Sequence, residues 1–410
     1  MATNWDSLPH DMHDKILKKL EFKDLFRCKT VSKVWKKCIE SDDFRQLRRE
    51  TFSQEGSFTA ISYNNYNNSW QCFGYDLHSK SWRSLPPFSY LPIPDVRGNM
   101  TIYSVTGHRS LMCAEVSELP NQCVLVVFNP LTGKKRILPP LLYPRNPMLV
   151  HISVNSAAKS YTIVVAGSSF ASEKHLSKKV ELFCSTTSKW TEASDLPSPM
   201  FGLSHHQAGV CVNGVLYVIA FLDGNGRQGM IAFDVENGKW LEEMACAIPF
   251  SLTSAILELV ECDGKVHVYS MHMFKGLIRH CIHVLKTLDL NRRARASHWK
   301  AVVDVREHNF RGWQMYIGRR WQLYNEYSCV SFGDGKLCVF NVFSRNGMVY
   351  DMRDGRQISV LVAPPGTEKG EKFSTLNCAS FSLQPCFDND PMSSTVEIIE
   401  NKDAKSVVEH

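Results

Sequence analysis

The chain has 410 residues, of which 44% are apolar and 21% charged, with a net charge of +6. That length suggests two or three domains, and the composition is that of an ordinary globular chain with ample material for a core. The mild charge gives no argument for nucleic-acid binding, the start MATNWDSLPHD lacks the basic-then-apolar run of a secretion signal, and apolar stretches such as GVLYVIAFL fall far short of a membrane span.

The first predicted elements are helical. Pro9 suits a first helical turn, where its missing N–H would be unbonded in any case. Met12, Ile16 and Leu20 recur at i, i+4 and i+8 with Leu17 beside them, while Lys15, Lys18 and Lys19 fall on the wet side. Phe22 ends that run, Lys23-Asp24-Leu25-Phe26 opens a second short helix, and Ser32 caps or begins a third. Val31, Trp35 and Ile39 repeat the i, i+4 stripe, with Cys38 next to Ile39. Three helices within about 45 residues have too little volume for a sufficient core. Some of Leu8, Ile16, Leu17, Leu25, Val31 and Trp35 are therefore expected to await a partner.

Residues 4–48 resemble the F-box. The matching features are Leu8-Pro9 with Asp11 two residues on, Ile16-Leu17 with Leu20, Leu25 with Cys28, and Val31-Ser32-Lys33 followed by Trp35. Their order and spacing follow the family pattern. One departure is visible: His10 and Met12–His13 stand where the family usually carries an acidic or apolar residue, which bears on adaptor affinity. The resemblance implies binding to the Skp-type adaptor of a cullin–RING ubiquitin ligase through Leu8, Pro9, Ile16, Leu17, Leu20, Leu25, Val31 and Trp35.

From about residue 55 the helical period gives way to short β-rich runs between Gly, Asn, Asp and Pro clusters. A unit of strand, polar turn, second strand and Leu-Pro-like stop recurs at Cys72–Pro87, Leu125–Pro140, Val180–Pro197, Met230–Met244, His283–Val302 and Gly347–Leu361. Its phase markers are Trp82, Arg136, Trp190, Trp240, Trp299 and Gln357, spaced near the ~50-residue period of a four-stranded blade. Between them, Asn213-Gly214, Asp263-Gly264 and Asp334-Gly335 each sit between apolar strands, the strongest short hairpin signal.

These copies resemble kelch motifs, and more particularly the plant-type F-box/kelch-repeat proteins. The match is strongest over Val180–Met244. The diagnostic Gly-Gly pair is absent from every copy, and copies two and six lack the tryptophan. The resemblance implies a multidomain fold: a small all-α module (1–50), then an all-β kelch-type propeller (51–388), with six blades expected, and a polar tail (389–410) expected to be disordered. An open ring would leave a sheet edge exposed. The late alternating run Ser374–Pro385 is therefore expected to complete the sheet begun at Ser57–Tyr63.

Catalytic signals are weak. There is no G-x-S-x-G, no H-E-x-x-H and no phosphate-cradling glycine loop. None of the 14 cysteines forms a C-x-x-C pair, so they read as reduced thiols. Some kelch propellers are copper-radical oxidases, but the adjacent His205-His206 would point to opposite sides and read as loop polarity. A basic, aromatic stretch is a second candidate: Arg292, Arg293, Arg295, Lys300, Arg306, Arg311, Arg319 and Arg320, interleaved with Trp299, Trp313, Tyr316 and Trp321. Arg311, Trp313, Arg319 and Arg320 could grip an anionic protein partner. The alternative is that the arginines are solvated and the tryptophans pack between blades.

The resulting expectation is a non-catalytic substrate receptor of an SCF-type ubiquitin ligase, in the cytoplasm or nucleus. It needs no cofactor or metal and contacts neither nucleic acid nor membrane. Its partners would be the Skp-type adaptor, through it a cullin, and an unidentified target protein held by the propeller. A non-degradative F-box scaffold remains the alternative.

Overall fold

The computed structural model describes residues 9–20, 22–41, 43, 44, 47, 58–64, 69–76, 81–84, 101–108, 110–117, 123–130, 132–155, 158–168, 175–197, 202, 203, 207–223, 226–249, 254–274, 277–286, 298–307, 327–341, 346–361, 380–382 and 391. Leu8, Arg311, Trp313, Arg319, Arg320, His205-His206 and the tail other than Pro391 lie outside the described residues. Three helices come first: α1 (His10–Leu17), α2 (Phe22–Val31) and α3 (Lys33–Ile39). None among the described residues is long and apolar enough to cross a membrane.

The β region forms six antiparallel sheets among the described residues. The first holds β1 (Phe58–Asn64), β2 (Ser69–Asp76) and β3 (Ser81–Ser84). The second runs β4 (Thr101–His108), β5 (Leu111–Ser117), β6 (Cys123–Phe128), β7 (Lys135–Ile137). The third runs β8 (Leu149–Asn155), β9 (Ser160–Ala166), β10 (Val180–Cys184), β11 (Lys189–Glu192). The fourth has β12 (Gly202–Leu203) and β13 (Val210–Val212) sharing the inner edge of β14 (Val215–Phe221), then β15 (Gln228–Asp234) and β16 (Lys239–Ala247). The fifth runs β17 (Ser254–Cys262), β18 (Lys265–Phe274), β19 (Leu277–Leu285), β20 (Trp299–Glu307), and the sixth β21 (Tyr327–Gly333), β22 (Lys336–Asn341), β23 (Gly347–Asp351), β24 (Gln357–Leu361). The last strand, β25 (Ser380–Ser382), returns to the first sheet and pairs with β1, Phe58 opposite Ser382 and Ala60 opposite Ser380.

Each sequence repeat copy is the outer hairpin of one sheet, and the intervening runs are inner strands. The turn chemistry is as the sequence demands. Asn213, Asp263 and Asp334 take φ of 50°, 50° and 47° with a positive-φ glycine after each, the left-handed pair that a two-residue hairpin requires. The innermost strands adjoin in succession: β25 with β4, β4 with β8, β13 with β17, β17 with β21 and β21 with β25. The remaining step is a parallel bridge between Leu149 and Gln207. There the inner edge of the fourth sheet is interrupted, and the Gln207 amide fills the ladder, donating to the Ile219 carbonyl at 2.8 Å and accepting its N–H at 2.7 Å.

Alternation along each strand sends one set of side chains to each neighbouring sheet. Val150, Ile152 and Val154 pack with Leu125 and Val127 of the second sheet, whereas Leu149 packs with Leu216 and Val218 of the fourth. The core is thus a series of apolar layers between sheets. The marker tryptophans join those layers. Trp190 donates its indole N–H to the Pro139 carbonyl (2.9 Å), Trp240 to Ser194 (3.1 Å) and Trp299 to Ala247 (3.0 Å), in each case on the connection from the preceding sheet or the end of its outer strand. Trp190 and Trp240 also lie against Phe183 and Phe233, ring centroids 5.3 and 4.9 Å apart.

Arg136 is not a member of this series. The register sets Phe128 opposite Lys135, as Phe183 lies opposite Trp190, so Arg136 is one residue out of phase. It faces the third sheet, with its guanidinium 5.3 Å over the Phe183 ring. Polar groups are buried where connections must be held. The Arg145–Glu181 ion pair is wholly buried. Glu181 also accepts the amides of Leu142 (2.7 Å) and Tyr143 (3.3 Å), and Arg145 donates to the Gly167 carbonyl at 2.9 Å. Between the fifth and sixth sheets, Glu258 accepts from the Cys329 amide (2.7 Å) and the Ser328 hydroxyl (3.2 Å).

Candidate docking surface of the helical module

Pro9 is the N-cap of α1, and its carbonyl receives the amides of Met12 (2.9 Å) and His13 (3.3 Å). The helix therefore begins one residue later than the first-turn reading of Pro9 implies. Ser32 is extended (φ −145°, ψ 135°) and its hydroxyl accepts the Val34 amide at 3.2 Å, which ends α2 and caps α3. The caps fix which faces turn inward. Leu17, Leu25, Ile39 and Phe44 form the fully buried centre, with Leu20, Cys28, Trp35 and Cys38 partly buried around it. The Cys38 thiol donates to Asp14 Oδ1 at 2.9 Å and links α3 to α1; burial, then that carboxylate, push the thiol up to about 12. Lys29 and Glu40 form an ion pair at 2.7 Å.

This sorts seven of the eight expected adaptor contacts, Leu8 lying outside the described residues. Leu17 and Leu25 are 1% and 0% exposed and have no surface to offer; they hold the helices together. Ile16, Leu20 and Trp35 are half-buried, and Pro9 is exposed. Val31 is 71% exposed. The stripe expected through Val31, Trp35 and Ile39 does not form, because the extended Ser32 places Val31 on a different helix from the other two. Two exposed apolar residues join Pro9 and Val31 that the spacing argument did not select as contacts: Met12 at 39% and Val34 at 53%. Val34 could have been found from its place just across the Ser32 cap from Val31. Of the positions that depart from the F-box pattern, Met12 faces outward and His13 is buried. Between His10 and Ser41 there are nine Lys or Arg against five Asp or Glu, and Lys15, Lys19, Lys33, Lys36 and Lys37 are exposed.

The basic stretch of the propeller is divided by topology. The nine-residue strand β20, ~30 Å of extended chain, separates 287–297 from 308–326, so the two stretches join it at opposite ends. Trp299 is buried between the fourth and fifth sheets, while Lys300 and Arg306 are exposed. Among the described residues, no group of three or more His, Cys, Asp or Glu side chains is placed to hold a metal ion.

Comparison with known proteins matches both regions. The F-box domain model covers residues 5–47, and the model described as F-box associated beta propeller domain covers residues 90–311, just over half of the chain. Among curated proteins of Arabidopsis thaliana, "F-box only protein 6" is 23% identical over 248 residues, which are 58% of this chain and 47% of that protein. An "F-box protein" is 26% identical over 244 residues, covering 57% of this chain and 59% of that one. An "F-box/kelch-repeat protein" is 27% identical over 239 residues, covering 58% and 54%. The chain thus spans about half the length of the curated relatives it matches.

Proposed function

The chain belongs to the F-box proteins that carry an F-box associated β-propeller, and from that premise we propose that it is the substrate-recognition subunit of an SCF ubiquitin ligase. The observation that carries this is the exposed apolar set Pro9, Met12, Val31 and Val34 on a module whose fully buried core has four side chains among the described residues. A helix-rich adaptor would cover that set. The excess of exposed lysines favours an adaptor surface rich in carboxylates. Ile16, Leu20 and Trp35 contribute their exposed portions, Leu8 extends the set beyond Pro9, and Leu17 and Leu25 act by fixing the helices.

The propeller is the target-holding part. Its sheets are six blades of one ring, a reading supported by the succession of adjoining inner strands, with the Leu149–Gln207 bridge at the remaining step, and by β25 completing the first sheet. The stretch carrying Arg311, Trp313, Arg319 and Arg320 is a candidate target contact. The chain supplies no reacting group: a lysine of the target attacks the ubiquitin thioester carried by another subunit, and joining both partners raises the effective concentration of one near the other. Such a role places it in the cytoplasm or nucleus.

The test is capture of a purified Skp-type adaptor by the full chain and by a Pro9→Ala, Val31→Asp double variant. Capture falling at least tenfold, with helix content retained, is the expected result; undiminished capture overturns the docking assignment. A cullin joining the complex separates the ligase from a scaffold that binds adaptor alone.

A further inference from the structure

The fifth sheet carries a row of basic side chains across three strands. His272 of β18 lies opposite Arg279 of β19, and Arg279 lies opposite Arg306 of β20. Residues directly opposite in an antiparallel pair share a face, so the three project to one side, with Ser270, Cys281 and Asp304 forming the next row on that side. Val268, in step with Ser270 and His272, belongs to the apolar layer shared with Met230 and Ala232 of β15, so this face is the one turned to the fourth sheet.

Two arginines directly opposite each other repel, and one carboxylate serves them. Asp304 accepts from Arg279 Nε at 2.7 Å and from Arg279 Nη2 at 2.5 Å, a fork that uses both of its oxygens and fixes the guanidinium plane. Those hydrogen bonds, then the charges of Arg279 and Arg306, hold the Asp304 carboxyl below the ordinary range. Arg306 is exposed and, among the described residues, has no carboxylate within ion-pair distance. The buried side of the row is finished by Ser270, whose Oγ lies 3.0 Å from His272 Nε2. Cys281, 3.8 Å from Asp304 Oδ1, is pushed up to about 11 by burial and then by that carboxylate, so it stays a thiol and offers no nucleophile.

The row thus sets two guanidiniums against one carboxylate, with the second guanidinium turned to solvent. A phosphate monoester answers that imbalance: near neutral pH it carries close to two negative charges and has three strong acceptor oxygens, which suit the planar forks of arginine. The strand beside it suits a peptide carrier. β20 is the outer strand of its sheet, and among the described residues no strand pairs with its far edge. An extended segment lying along that edge would find backbone groups to bond, an advantage that free phosphate lacks.

We propose that Arg279 and Arg306, held in place by Asp304, form a receptor for a phosphorylated side chain of the target protein. The proposal deepens the reading of the propeller as the target-holding part and rests on it.

The probes are the peptide Gly-Gly-phosphoserine-Gly-Gly and inorganic phosphate, each titrated with the full chain and followed by phosphorus NMR line broadening. The peptide should bind more tightly than the free ion. Arg306→Gln, at an exposed position, should keep the urea midpoint and weaken peptide binding about tenfold; Arg306→Lys, which keeps the charge and loses the fork, should recover only part of it. Absence of peptide binding, free phosphate binding as tightly as the peptide, or indifference to Arg306→Gln would each overturn the proposal. Adaptor capture measured on the same proteins reports on the ligase reading alone, so the two fail separately.

Discussion

The helical module and the propeller solve the burial problem in opposite ways. Each propeller layer is shared by two sheets and continues around the structure: among the described residues, the layer between the second and third sheets alone has 14 buried apolar side chains, and the module has four. The propeller can also bury charge, as Arg145–Glu181 shows, because packed sheets on both sides hold the pair's geometry. The module exposes Lys15, Lys19, Lys33, Lys36 and Lys37 and, with them, Met12, Val31 and Val34. One region finishes its core within the chain; the other, on the proposal above, completes its own against a partner.

The sharpest way to break this contrast is to remove a buried charge from the propeller. Glu181→Ala leaves the Arg145 guanidinium and the amides of Leu142 and Tyr143 without their acceptor, and should cost about 3–5 kcal/mol, read as a lowered urea midpoint with α1–α3 unaffected. Next comes Leu25→Ala. It should cost about 2–5 kcal/mol, enough to abolish amide protection across residues 10–39 in the free chain while the propeller melts as before. A parallel fall in propeller melting would show that the two regions unfold as one. The smallest effect is expected at Glu258, whose carboxyl burial pushes up to about 7 despite the Cys329 and Ser328 hydrogen bonds. Its folded value exceeds the ordinary 4.5, so the folded state holds the proton more tightly. Its contribution is fully present below pH ~4.5 and fades as pH rises through ~7, by on the order of 1–3 kcal/mol. Comparing urea midpoints at pH 5 and pH 8 should show this slope in the unsubstituted chain and its loss in Glu258→Gln.

Local chemistry made much of this legible in advance. Leu-Pro spacing, the Ser32 cap and the Asn-Gly and Asp-Gly turns are dictated by backbone preferences of single residues, so they read directly from sequence. The outer hairpins were visible because each carries its own turn and an aromatic phase marker. The failures have a common cause. Arg136 was set in the tryptophan series by its nearness to a Leu-Pro stop, yet strand register pairs Lys135 with Phe128. Arg292 and Arg320 are close in number, yet the stretches that carry them join β20 at opposite ends.

Sequence alone determined the existence and type of the two regions, since apolar periodicity and turn residues act over a few neighbours. Only the tertiary structure decided which stripe residues face inward, that Arg136 reaches the Phe183 ring, and that Glu258 meets the Cys329 amide. Those outcomes depend on contacts between residues up to 71 positions apart, and no local preference encodes a contact whose other half lies in a distant strand.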